Sequence, residues 1–99
     1  NILFILSADH TSQRWGIYGG ILAPYAANDN IARLAADGCV LDNAFCTNSI
    51  SVPSRAAILT GQYSHLNGVY TLDDALRPEQ DNIAKRLQQA GYRTALVGK

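Results

Sequence analysis

Apolar residues run without interruption from Ile2 to Leu6, and polar groups take over at once in Ser7-Ala8-Asp9-His10. An unbroken apolar stretch of this length fits a strand covered on both faces, as in a parallel sheet. From Thr11 to Ala27 no period is sustained, and Gly16, Gly19, Gly20 and Pro24 interrupt the chain. That predicts a long loop with room for one helical turn. Asn28 or Asp29 then caps a helix running to about Asp37. Its apolar stripe is Ile31, Leu34 and Ala35, at i, i+3 and i+4, and Gly38 closes it. Val40 to Thr47 alternates, with Val40, Asp42, Ala44 and Cys46 on one side and Leu41, Asn43 and Phe45 on the other, which predicts a second strand. Asn48 to Pro53 is a short polar link. A helix follows from about Pro53 to Thr60, stopped by Gly61. Gln62 to Pro78 is loop-rich. Asp81 or Asn82 starts a third helix with Ile83, Leu87 and Ala90 on one stripe, and Gly91 ends it. Tyr92 to Val97 is a third strand.

Strands alternating with helices predict an α/β layered sheet rather than a sandwich or a bundle. Three strands and three helices are too few to cover a parallel sheet. The chain opens directly on an apolar strand and closes on another, Thr94 to Lys99. Both features lead to the expectation that these residues are part of a longer protein. Composition narrows the classes. Eight basic residues balance eight acidic ones in 99, so the basic footprint of a nucleic-acid binder is missing. A hydrophobic content of 47% against 16% charged excludes a disordered chain. No apolar run approaches the roughly 18 residues of a membrane span. Cys39 and Cys46 stand in no metal-type spacing. On one strand their odd spacing would point them to opposite faces, so two buried free thiols are expected rather than a disulfide.

The densest chemistry lies in Ser51-Val52-Pro53-Ser54-Arg55. Proline near the first helical position fixes a helix start. Ser51 is then at or just before the helix N-terminus, where amides and the helix dipole favour an anion. Arg55, four residues on, shares that face and offers a planar cationic fork for sulfate or phosphate. Together they offer what sulfuryl or phosphoryl transfer needs, an attacking oxygen and groups that stabilise charge on the other oxygens. From spacing alone, a capping serine beside a solvated arginine explains the same residues.

Ser51-Val52-Pro53-Ser54-Arg55 with Leu59-Thr60-Gly61 resembles the signature of the type I sulfatases. Further segments follow that family in order. They are the opening run Asn1–Leu6 leading to an acidic residue, the helix from Asp29 to Gly38, Gly61-Gln62-Tyr63-Ser64-His65 with Asn67-Gly68-Val69, and Gly91 to Lys99. The resemblance implies the alkaline-phosphatase-like α/β fold, with only its N-terminal part in these residues. It implies that Ser51 is oxidised to formylglycine, whose hydrate attacks the sulfur of a sulfate ester. Arg55 matches the arginine that stabilises that hydrate. Lys99 matches the lysine that contacts the sulfate group. Asp9 and the modified Ser51 would ligate Ca²⁺. His10 follows Asp9 and could reach the same site to bind substrate, or serve as an ordinary polar loop histidine. The implied partners are a sulfated carbohydrate and a formylglycine-generating maturation enzyme, and the implied location is periplasmic or extracellular.

One departure stands out. The family carries two adjacent Asp residues after the first strand, and here the pair reads Ala8-Asp9. Water in place of a carboxylate would weaken the metal site. Cys46 to Ser51 and the Tyr18-Gly19-Gly20 loop resemble bacterial enzymes acting on glycosaminoglycan or mucin sugars, N-acetylglucosamine-6-sulfate among them. A phosphohydrolase using unmodified Ser51 and an inactive relative are the rival readings. His65 is expected to make structural hydrogen bonds. Trp15 and Tyr18 are expected to serve ordinary packing. The Asp73-Asp74 pair is expected to be solvated or helix-capping.

Overall fold

A computed structural model describes residues 1–26 and 28–99. Ala27, the predicted end of the first loop, lies outside the described residues. Two compact units divide the chain, Asn1–Ala44 and Phe45–Lys99.

The first unit is a coiled loop followed by one helix. Three 3₁₀ turns, Ser12–Arg14, Gly16–Tyr18 and Ala23–Tyr25, occupy the stretch in which one helical turn is predicted. The loop folds back on itself through Leu22, whose amide donates to the Gln13 carbonyl at 2.9 Å. Gly20 is obligatory in that return, because a Cβ there would collide with the Gln13 backbone. Helix α1, Asp29–Asp37, matches the predicted span. Asn28 holds the N-cap position without capping through its side chain. Its amide instead donates to the carbonyls of Arg14 and Ala26 and ties the loop to the helix start. The stripe of Ile31, Leu34 and Ala35 faces Ile17, Tyr18 and Val40 across an open groove of about 380 Å³.

The second unit is built around helix α2, Ser51–Thr60. Ala56, Ala57 and Leu59 favour the helix. Pro53 at its third position costs nothing, since the first amides of a helix have no intrahelical partner. Gly61 ends it in the left-handed region, φ 66°, and donates to the Ala57 carbonyl at 2.8 Å. Helix α3, Ser64–Asn67, packs on α2 within the stretch expected to be loop-rich. Helix α4, Ile83–Gln89, also packs on α2. It starts as predicted at Asn82, whose Oδ1 accepts from the Lys85 amide at 3.1 Å. An Arg86–Asp81 ion pair at 2.5 Å braces that start.

The core of this unit is small and centred on α2. Its buried residues are Pro53 and Ala56 on α2 together with Asn67 and Val69, and Val69 is fully buried. Asn67 is buried but satisfied: Nδ2 donates to the Gln62 carbonyl at 3.0 Å, and Oδ1 accepts from the Val69 amide at 2.9 Å. Removing a partner from buried polar groups costs their desolvation. Asn67→Ala is therefore expected to cost about 2 kcal/mol in the full-length protein, read as a shifted denaturation midpoint. A loss below about 0.5 kcal/mol would refute this role.

The predicted α/β sheet is the main correction. Among the described residues there are no strands, and the regular structure is helical. Residues 2–6, 40–47 and 92–97 are extended or turning segments without a ladder. Most of their side chains stand in solvent, with Leu3 85%, Phe45 89% and Val97 97% exposed. An apolar run buried on both faces needs hydrogen-bonded neighbours and helices above and below it. Strand propensity expresses that setting more than a local backbone preference. The cysteines are a second correction: both are free thiols as expected, and both are exposed rather than buried.

Candidate active site

Ser51 is the first residue of α2, one position further into the helix than a cap. The cap is Ile50, in extended conformation and without a side-chain capping bond. The Ser51 hydroxyl is therefore not spent on capping, and the bland explanation of the serine fails. Its Oγ instead accepts from Arg55 Nε at 3.4 Å. This is the i, i+4 geometry of one helix face. The same guanidinium donates through Nη1 to the Lys99 carbonyl at 3.1 Å. Ser51 and Arg55 are half-buried, and Lys99 is exposed. The first bond of the α2 ladder runs from the Ser54 amide to the Ile50 carbonyl at 2.9 Å. Pro53 has no N–H, so the amides of Ser51 and Val52 stand ahead of that ladder. An open hydroxyl, a fixed guanidinium and the positive end of a helix thus converge on one point.

Asp9 and His10 belong to the first unit. Asp9 is exposed and adopts the left-handed conformation, φ 55°, which Asp tolerates better than most residues. His10 is half-buried, its ring tilted against Trp15 at 4.5 Å, and its Nδ1 is buried without a hydrogen-bond partner. Trp15 is thereby engaged in packing. Tyr18 lines the groove beside α1, with its hydroxyl donating to the Leu41 carbonyl at 3.4 Å. His65 is exposed and stacks on Tyr63 at 5.7 Å. Asp74 is neither merely solvated nor a helix cap: its Oδ2 accepts from the Tyr70 and Thr71 amides, both at 2.8 Å. Those backbone bonds hold its carboxyl below the ordinary range. The Arg86 side chain does the same for Asp81.

Asn48 is the residue that sequence reasoning passed over. It stands three positions before Ser51 and is bonded on both sides of its amide. Its signal is faint, an Asn in the polar link just ahead of a helix start, inside the Cys46–Ser51 stretch that carries part of the family likeness.

The sulfatase family model matches residues 1–99, the whole chain. The chain belongs to the sulfatase family. Over 99 residues this sulfatase chain is 43% identical to an N-acetylglucosamine-6-O-sulfatase of Bacteroides thetaiotaomicron, matched along its full length and covering 17% of that protein. It is 31% identical to an ulvan-active sulfatase of Formosa agariphila, covering 19% of it. A human N-acetylgalactosamine-6-sulfatase is 33% identical over 112 aligned positions, and the chain covers 21% of it. The chain thus spans about a fifth of the length of these relatives.

Sulfatases generally use a calcium ion. Among the described residues, no three His, Cys, Asp or Glu side chains gather as a metal site. Asp9 brings a hard carboxylate, the right kind of ligand, and Ala8 brings none. Calcium takes six to eight oxygens. The residues present match calcium in chemistry and fall short of it in number. No helix among the described residues is long and apolar enough to cross a membrane.

Proposed function

We propose that these residues are the N-terminal portion of a sulfatase catalytic domain that hydrolyses sulfate esters of carbohydrates. The observation that carries this reading is the Ser51 hydroxyl, unspent on capping and held by Arg55 inside a family match that covers the chain. Residues 2–6, 40–47 and 92–97 would be strands of an alkaline-phosphatase-like layered sheet once neighbours cover them. The 43% identity to a protein named for N-acetylglucosamine-6-O-sulfate supports a 6-O-sulfated amino sugar as the substrate class. By the same family pattern the enzyme works in the periplasm or outside the cell, after a maturation enzyme has acted on Ser51.

Ser51 is the site of the formylglycine, which when hydrated supplies an oxygen nucleophile for sulfuryl transfer. The protein's own groups prepare that point. Arg55 donates to the oxygen at position 51 and stabilises negative charge there. Its Nη1 bond to the Lys99 carbonyl keeps the guanidinium from swinging into solvent. The amides of Ser51 and Val52, at the positive end of α2, favour the anionic sulfate oxygens. By the family pattern the Lys99 ammonium would add a cationic contact to the sulfate, and His10 is kept as a substrate-binding candidate. Asp9 and the modified Ser51 would contribute oxygens to a calcium ion, with the remaining donors supplied from beyond these 99 residues.

Mass spectrometry of the protein expressed from its complete reading frame in its native host tests this reading. The peptide carrying Ser51 is expected to lose two hydrogens and to react with a hydrazide probe. An unmodified Ser51 together with turnover of phosphate esters would replace the sulfatase reading with a phosphohydrolase one.

A further inference from the structure

Ser51 is presented by a turn, and Asn48 holds that turn from both sides. The Ile50 amide donates to Asn48 Oδ1 at 3.0 Å. Asn48 Nδ2 donates to the Ser64 hydroxyl at 3.4 Å, at the start of α3. The Ile50 carbonyl accepts the first bond of α2, from Ser54. Ile50 is thus fixed at both its amide and its carbonyl, immediately before Ser51. Helix α3 in turn is joined to the best-buried part of its unit through Asn67 and Val69.

We infer that Asn48 is a positioning residue, which sets the place of the Ser51 side chain against Arg55 by strapping the turn before α2 to α3. This rests on the sulfatase reading and deepens it. Two features make the case. Residues 45–50 have no helix or ladder of their own, so the strap is what orders the approach to Ser51. The Ile50 amide is bonded by Asn48 while the Ser51 and Val52 amides are not, so the turn is secured without occupying the end of the helix that faces an anion. An amide suits this dual task, because one side accepts while the other donates. Aspartate could keep both bonds, since the Ser64 hydroxyl can turn to donate, but it would add a negative charge beside the sulfate.

The test uses the full-length enzyme, with kcat counted per modified Ser51 and folding checked by thermal melting. Asn48→Ala is expected to lower kcat about 10- to 100-fold, the usual size of a supporting-residue effect, with little change in KM. Ser64→Ala, which cuts only the far end of the strap, is expected to lower kcat about 3- to 10-fold. Asn48→Asp is expected to restore kcat to within about threefold of native while raising KM, as its charge opposes the substrate. A merely structural role would not separate kcat from KM between these two variants. Folded Asn48→Ala with native kcat overturns the inference. If that variant does not fold, native kcat in Ser64→Ala overturns it instead. A native protein without sulfate-ester turnover overturns the reading beneath it and this inference with it, so the two failures are told apart by the native enzyme alone.

Discussion

Ser51→Ala in the full-length protein is expected to lower kcat/KM for a sulfated amino sugar by about 10⁴-fold or more, while the melting temperature holds. Both halves follow from the geometry. The hydroxyl does not cap α2, so its loss removes no bond from the helix start. Its side-chain partner among the described residues is Arg55 Nε at 3.4 Å, a long contact on a half-buried surface that adds little to stability. Activity falls because alanine offers neither an oxygen nor a group that can be oxidised to an aldehyde. Ser51→Cys serves as the companion variant, since the side chain of cysteine can also be oxidised to an aldehyde. If the native host's maturation machinery handles cysteine, activity returns. Turnover by Ser51→Ala within tenfold of native would remove Ser51 from the chemistry and end the assignment.

The second large effect concerns the metal, and here a gain is expected. Ala8→Asp should tighten calcium binding by the full-length protein at least about tenfold, because affinity follows the number of charged ligands. Position 8 precedes an Asp whose backbone already lies in the left-handed region and whose side chain is exposed. A carboxylate added there places a second hard oxygen ligand beside the first along the chain. Calorimetry with calcium alone on the two proteins reads the difference directly, and turnover at limiting calcium reads its consequence. Equal affinities would mean that position 8 does not face the ion, and the family pattern would then fail at that residue.

The sequence was most readable where structure is local. The α1 span, the Asn82 cap of α4 and the glycine stop of α2 depend on neighbours within a turn or two, and they stand where the pattern puts them. The apolar runs are legible in the sequence, yet they form no strands among the described residues, because a strand exists only through its partners. Asn28 shows the same limit in miniature. Its type marks a helix start, but its amide is claimed by carbonyls fourteen and two residues away. At the candidate site, Ser51 and Arg55 are legible through their resemblance to the sulfatase signature, since their spacing alone also fits a capping serine beside a solvated arginine. That Ile50 rather than Ser51 caps the helix is not legible, since a one-residue shift leaves no trace in the pattern. Asn48 was invisible for a related reason: its role depends on Ser64, sixteen residues on.

The exposed apolar runs bear on how such a chain survives its own synthesis. At about 5–20 residues per second, 99 residues take several seconds to emerge. During that time residues 2–6, 40–47 and 92–97 offer unpaired edges to any neighbouring nascent chain. Each run has a charge inside it or close behind: Asp9, Asp42 and Arg93. Such charges act as gatekeepers, setting repulsion against register whenever two copies try to pair. Asp9 would then serve twice, guarding the first run while the chain is young and offering its carboxylate to calcium once the enzyme is complete.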